Sequence, residues 1–337
     1  MSRRFNEWWR CRKTRFQYRL YGKAFSEKCP LLALTYANDR HMDGAGAQLQ
    51  RVYAIYALSR FLNLAYVHTP LHHLDYQGLG ALESNTWDQT LVGRYNEIFR
   101  IPSDDVSSDV LVRDIEKISF PVLLNLRRAA VRGGKPILAR FTEPYRITEV
   151  FPEAYQAIKD VSPFRRTREA GSPLRIAIHA RRGDVAYIAT DLSRILPNAY
   201  YLSLARNLSR MLDRLGLAYV FELHTEVPRK ASSMAPADEG PRLFDPKAMG
   251  IEEFDSLPNL RKFINTDPIE SIERMATADV LIISHSSFSY LPALLNVGGI
   301  VAYHRFWHRP MAEWLLVNDR GDFCEKAFLR KAAVFFR

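Results

Sequence analysis

The run Leu174-Arg-Ile-Ala-Ile-His-Ala-Arg-Arg-Gly-Asp184 constrains this chain more than any other. Its first half, Leu174 to Ile178, is short, apolar and β-branched and follows a stretch punctuated by Pro and Gly, as a buried parallel strand does. Its second half places His179, Arg181, Arg182 and Asp184 where that strand ends. In open α/β sheets, ligands sit in the crevice outside the carboxyl ends of the strands. Two adjacent guanidiniums there, each a rigid fork of donors, suit a diphosphate better than a neutral ligand. The alternative is a strand end with solvated arginines. An exposed Arg-Gly-Asp adhesion tripeptide fits less well, because the motif belongs to a crevice and not to a loop tip.

At 337 residues the chain fits two domains of about 150 residues each. The segment 161–173, with prolines, glycine and charge but no apolar period, predicts the boundary. The expected parts are a basic extension over 1–28, a Rossmann-like domain over 29–165, a second over 172–310 and a helical segment over 311–337.

The first domain opens with a β-α-β unit. A strand is predicted over 30–36, a helix over 48–61 from apolar positions 49, 52, 53 and 56, and a strand over 64–68. Gly44 and Gly46 in the first turn would let backbone N–H groups approach an anion at the helix start. Helices are expected over 87–99, 109–118 and 122–131, and a strand over 137–141. His68, His72 and His73 lie close together, but no carboxylate or cysteine at ligand spacing joins them, so no metal site is predicted.

The second domain alternates strand and helix: a helix over 199–215, a strand over 218–223, a short strand over 261–264, a helix over 268–277 and a strand over 280–283. A helix capped near Ser287 to Ser289 and a strand over 300–303 complete it. This order predicts an α/β fold with a doubly wound parallel sheet. The polar clusters His179 to Asp184, His224-Thr225-Glu226 and Ser284 to Ser289 would then line one sheet edge together with Asp267. Serine hydroxyls at a helix start cap its N–H groups or share them with a bound anion.

The formal charge of +10 is concentrated. Residues 1–28 hold nine cations against Glu7 and Glu27, a net of +7, so the body is nearly balanced and a nucleic-acid groove is disfavoured. Phe5, Trp8, Trp9, Phe16 and Leu20 roughly share one helical face of that extension. It reads equally as a peripheral membrane contact or as a solvated tail. No apolar run of about 18 residues and no leader-like segment is coded, and Cys11, Cys29 and Cys324 are scattered. A cytoplasmic location is the expectation.

His179-Ala-Arg-Arg-Gly-Asp184 resembles the His-x-Arg-Arg-(Gly/Thr)-Asp motif of the fucosyltransferase superfamily that includes the α1,2-, α1,6- and nodulation fucosyltransferases. Ala278-Asp-Val-Leu281 through Ser286-Ser-Phe-Ser289 is similar to a second segment of that superfamily, and the Gly44 to Gln48 turn to a third. The resemblance covers most of the second domain and the first βα turn; residues 70–160 match nothing in it.

The resemblance implies a GT-B glycosyltransferase, two Rossmann-like domains facing across a cleft, that transfers fucose from GDP-fucose to a glycan or glycolipid hydroxyl with inversion. On that basis Arg182 and Arg181 would hold the β-phosphate, and His179 would support the nucleotide. Gly44 and Gly46 would face the phosphates, Asp267 would accept from guanine, and Ser286 and Ser287 would complete the cradle. Thr225 and Glu226 are further donor-side candidates. Fixed cations would do the work of a metal, and the chain has no Asp-x-Asp pair, so no cofactor is expected. Where the α1,6 enzymes carry a glutamate base, this chain has Ala189; Asp191, Asp43 and Asp184 are the substitutes, Asp184 reading equally as a partner of a motif arginine. The same fold with another nucleotide sugar, a catalytically silent nucleotide-binding relative, and a membrane-surface or nucleic-acid-binding protein driven by residues 1–28 are the competing readings.

Overall fold

The computed structural model describes residues 13, 15–37, 43–78, 88–143, 152–169, 171–183, 194–227 and 250–336. The chain forms an α/β fold of two compact units, each built on an all-parallel sheet. The first unit comprises residues 1–75 and 92–161, and the second 76–91 and 162–337. Segment 76–91 thus groups with the second unit although it lies within the first half of the sequence.

In the first unit, β1 (Cys29–Tyr36), β2 (Leu64–Tyr66), β3 (Leu111–Lys117) and β4 (Ile137–Glu143) run in the order β2-β1-β4-β3. Helix α1 (Ala45–Phe61) is buried on more than its expected face, because β1, β2 and α4 (Pro152–Asp160) all pack on it. Helix α2 spans Gln89–Ile98. Helix α3 (Phe120–Gly133) shows why sequence punctuation works: Ser119 caps the Val122 N–H, Pro121 occupies the first turn, and Gly134 at φ 60° ends it in the left-handed region.

The helix expected over 109–118 is instead β3. It is an edge strand, paired only to β4, with Leu111 and Val112 left exposed. Its mixed apolar and charged residues therefore never form a clean period, and pairing with β4 decides the conformation.

The second unit carries six strands: β5 (Leu174–His179), β6 (Tyr219–Thr225), β7 (Leu260–Ile264), β8 (Val280–Ile282), β9 (Ile300–His304) and β10 (Leu315–Val317). Their order is β10-β9-β8-β5-β6-β7. The segment expected to be wholly helical over 311–337 supplies β10 before its helix α8 (Glu325–Phe335), so this tail extends the sheet. Leu174, Ile176 and Ile178 of β5 join Phe221 and Leu223 of β6 in one core with Tyr201, Leu204 and Leu208 of α5 (Asn198–Arg214) and Phe328 of α8. The alternation that buries those side chains turns Arg175, Ala177 and His179 to the opposite face, along which α6 (Pro268–Ala276) packs on β5 and on α7 (Ser287–Leu295).

That opposite face buries charge. Glu222 has no exposed surface; Arg175 Nη2 donates to it at 3.0 Å and Arg274 Nη2 at 2.6 Å. Asp279 accepts from Arg166 Nη1 and from the Arg175 backbone N–H, both at 2.8 Å. Among the described residues no helix is long and apolar enough to cross a membrane.

Burial alone would raise the Glu222 pKa, but its contacts with His224, Arg175 and Arg274 hold it down to about 2. A carboxylate depressed in the folded state contributes stability that is present above its unfolded pKa of about 4.3 and is lost as pH falls through the folded value. Glu222→Gln is expected to cost about 3–5 kcal/mol at pH 7, because two guanidiniums lose their partner. In denaturant melts between pH 5 and 2, the variant should lose less further stability than the parent; parallel curves would refute the assignment.

Candidate functional site

From β5 the chain steps one way to β6 and β7, then returns to the other side of β5 with β8 and continues to β9 and β10. The direction reverses between β5 and β8, and the crevice outside the carboxyl ends of that pair is where open α/β sheets bind ligands. Strand β5 ends at His179 and β8 at Ile282, with α7 opening five residues later.

Two hydrogen bonds span this point. His179 Nδ1 lies 2.7 Å from Ser284 Oγ, and Arg181 Nη1 donates to Ser286 Oγ at 3.1 Å. Ser286 is also the N-cap of α7, accepting from the Phe288 N–H at 3.2 Å, so the Arg181 side chain is delivered to a helix N-terminus. Pro292 sits inside α7 and the cap is Ser286, one residue ahead of the expected range. Ser289 is buried within the turn and accepts from the Ser284 N–H at 3.2 Å. His179 is buried against Phe288, ring centroids 5.5 Å apart. Its pKa falls to about 3, chiefly through burial and then through the charges of Arg181, His224 and Arg182, so the imidazole is neutral.

Arg182 takes a different direction. Its guanidinium is buried, donates to Asn198 Oδ1 at the start of α5 and to the Arg181 carbonyl at 2.8 Å, and lies 5.9 Å from the Tyr201 ring centre. Burial lowers its pKa from the usual range, and among the described residues it makes no ion pair. The two arginines thus make their hydrogen bonds to different helices.

Gly183 is a close-approach glycine. A Cβ there would stand 2.6 Å from Glu226 Oε2 and 3.2 Å from the Tyr76 hydroxyl, which itself donates to Glu226 Oε2 at 2.7 Å. The Gly183 N–H donates to the Glu226 carbonyl at 3.2 Å, and the Thr225 hydroxyl to the Ala180 carbonyl at 2.7 Å. Thr225 and Glu226 therefore shape the motif loop. His224 is enclosed, its ring stacked on Phe263 at 4.9 Å, and does not line the edge.

The remaining candidates are placed as follows. Asp267 Oδ1 caps α6, accepting from the Ile269 and Glu270 N–H groups. Ser287 Oγ lies 3.4 Å from His308 Nε2. Asp43, in the first unit, pairs with Arg51 at 2.5 Å, and Gly44 caps α1 with Gly46 buried in its first turn. Among the described residues no group of three or more His, Cys, Asp or Glu could hold a metal ion. Asp184 and Asp191 lie outside the described residues, as do residues 1–12 and 14 of the extension. Sequence reasoning missed Tyr76, far from the motif in sequence, and Asn198, which reads as an ordinary helix start.

No family model and no curated protein matches this chain. Among solved structures, POFUT1 in complex with GDP-fucose is 11% identical, over 80% of this chain and 95% of that one, with a TM-score of 0.39. The E. coli ADP-heptose LPS heptosyltransferase II is also 11% identical, over 90% and 98%, with a TM-score of 0.39. E. coli heptosyltransferase WaaC is 8% identical over 89% and 98%, at 0.38. Likenesses this distant leave the chemistry to be argued from the residues.

A histidine whose folded pKa is lowered binds fewer protons than the unfolded chain, so stability declines as pH drops below about 6.5 and goes on declining to about 3. The His179 ring resonances are expected to stay unshifted from pH 8 to pH 5 by NMR; a midpoint near 6.5 would mean that the ring is solvated.

Proposed function

We propose that the second unit binds a nucleoside-diphosphate sugar and that the chain is a glycosyltransferase. The single observation that carries this reading is the delivery of the Arg181 guanidinium to Ser286, at the N-terminus of α7, beside the β5–β8 reversal. A cation and a helix N-terminus converging on one sheet edge suit a diphosphate. In sugar transfer, negative charge grows on the departing diphosphate, and fixed donors aimed at it lower the barrier. No divalent ion is called for in this reading, because Arg181 and the N–H groups of α7 supply the positive potential. Neutral His179, tied to Ser284, positions the wall of the site without adding charge. Arg182 acts from beneath: it is fixed by Asn198 and adds its field rather than a direct contact.

The finer reading is that the donor is GDP-fucose and the acceptor a glycan or glycolipid hydroxyl, attacked with inversion. The sequence motifs support it, with Asp267 on the guanine side and Asp191 or Asp184 available as base. The arginines read phosphate and not the sugar, so donor identity is what the experiment must decide.

Thermal-shift titrations with GDP, ADP and UDP in EDTA, followed by GDP release from GDP-fucose, test both levels. GDP stabilising most supports the fucose reading; ADP or UDP stabilising instead moves the donor, and no stabilisation by any of the three refutes the site. Arg181→Ala is expected to lower turnover about 10²–10³-fold with little loss of Tm, because the half-buried side chain leaves a mobile hydroxyl behind. Arg182→Ala is expected to lower Tm, at a cost of about 1–3 kcal/mol from the stranded Asn198 acceptor. Unchanged turnover in Arg181→Ala would overturn the proposal.

A further inference from the structure

The two motif arginines sit on a four-residue stretch, Ala180 to Gly183, whose backbone is tied down at both ends. At the near end, the Ala180 N–H donates to the His224 carbonyl at 3.0 Å, and the Ala180 carbonyl accepts from the Thr225 hydroxyl at 2.7 Å. These bonds directly follow the His179–His224 pair of the β5–β6 ladder, so this end comes with the sheet itself. At the far end, the Gly183 N–H donates to the Glu226 carbonyl at 3.2 Å. A single backbone bond of that kind restrains a loop only weakly.

The far end is reinforced by a third segment. The Tyr76 hydroxyl donates to Glu226 Oε2 at 2.7 Å, across 150 residues of sequence. A Cβ on Gly183 would stand 2.6 Å from that same oxygen, and a Cβ on Gly78, whose φ is 107°, would stand 3.1 Å from Glu226 Oε1. The carboxylate is therefore packed between glycines of two separate segments and bonded to a phenol from one of them. Tyr76, Gly78, Gly183 and Glu226 all belong to the second unit. Arg181 lies between the two tied ends, and its side chain reaches Ser286 Oγ at 3.1 Å. The aim of that long side chain is inherited from the backbone that carries it.

We propose that Tyr76 is a positioning residue of the transfer reaction: through Glu226 it fixes the Gly183 end of the arginine loop and so keeps Arg181 directed at the start of α7. This rests on the transferase reading above and deepens it. A fixed donor stabilises charge growing on the departing diphosphate only if it is in place beforehand. Displacing a reacting or charge-stabilising group by about 1 Å can cost about 10²-fold in rate. Neither Tyr76 nor Glu226 exchanges a proton or forms a bond in this role.

A double-mutant cycle on the full chain tests the assignment, with GDP release from GDP-fucose and Tm measured for each protein. Tyr76→Phe removes the hydroxyl and keeps the ring. It is expected to lower kcat about 10–100-fold, with kcat/KM falling in step. In the Arg181→Ala background the same change should cost less than about twofold, because the group it aims is already gone. Glu226→Ala should behave as Tyr76→Phe does. Glu226→Gln, whose amide oxygen still accepts from the phenol, should lose less than Glu226→Ala. Equal fold-losses from Tyr76→Phe in the two backgrounds would mean a merely structural contact and overturn the inference, as would parental kcat in Tyr76→Phe. A loss in Glu226→Gln as large as in Glu226→Ala would also overturn it, since the charge and not the brace would then be what matters. In each of these cases GDP binding by the parent leaves the transferase reading standing. A parent that neither binds GDP nor releases it from the donor overturns both.

Discussion

Everything proposed for this chain depends on two hydrogen bonds between segments 105 residues apart, His179 to Ser284 and Arg181 to Ser286. They exist because β8 returns to the free side of β5 instead of continuing past β7. The parallel order brings the exit of one strand beside the helix start that follows another, and neither segment could make a charged, capped recess alone. Local folding makes the parts: an apolar β-branched strand and a helix opened by a serine cap. Topology makes them a site.

Charge is used in two separate ways within the same sheet. Arg175, Arg274 and Arg166 are consumed by Glu222 and Asp279, where each ion meets its counter-ion in a buried setting. Such pairs are costly to assemble and more costly to break, so they specify the packing of β5, β6 and α6 more than they add net stability. Arg181 and Arg182 lie apart from those pairs and donate to Ser286 and to Asn198.

Much of the second unit was legible because its strands are apolar runs and its helices carry serine, proline or aspartate at the start. The caps themselves are Ser286, one residue ahead of the expected range, and Asp267, which the sequence suggested only as a guanine-side acid. The first unit was less open, because β3 mixes charge and apolar residues on an edge; in the second unit β10 is three residues long within a tail that reads as helical. The motif marked the end of β5 but not the parting of its arginines. Arg181 reaches the start of α7 and Arg182 the start of α5, so adjacency in sequence did not imply a shared target. Tyr76, 150 residues from Glu226, had no local signature at all. The His285–His304 and His304–Asp319 contacts were invisible because their members follow or end different strands and are joined only by strand order.

The Tyr76 to Glu226 contact bears on how the molecule can be dissected. Segment 76–91 is contributed to the second unit by chain that precedes the bulk of it, so the polypeptide passes between the units at three places in its length. A fragment starting at Ser162 would keep all six strands yet lack the phenol that braces Glu226 beside Gly183. The arginine loop would then be supported from one side only. An autonomous version of this half would have to be stitched from two pieces of sequence, not cut at a single boundary.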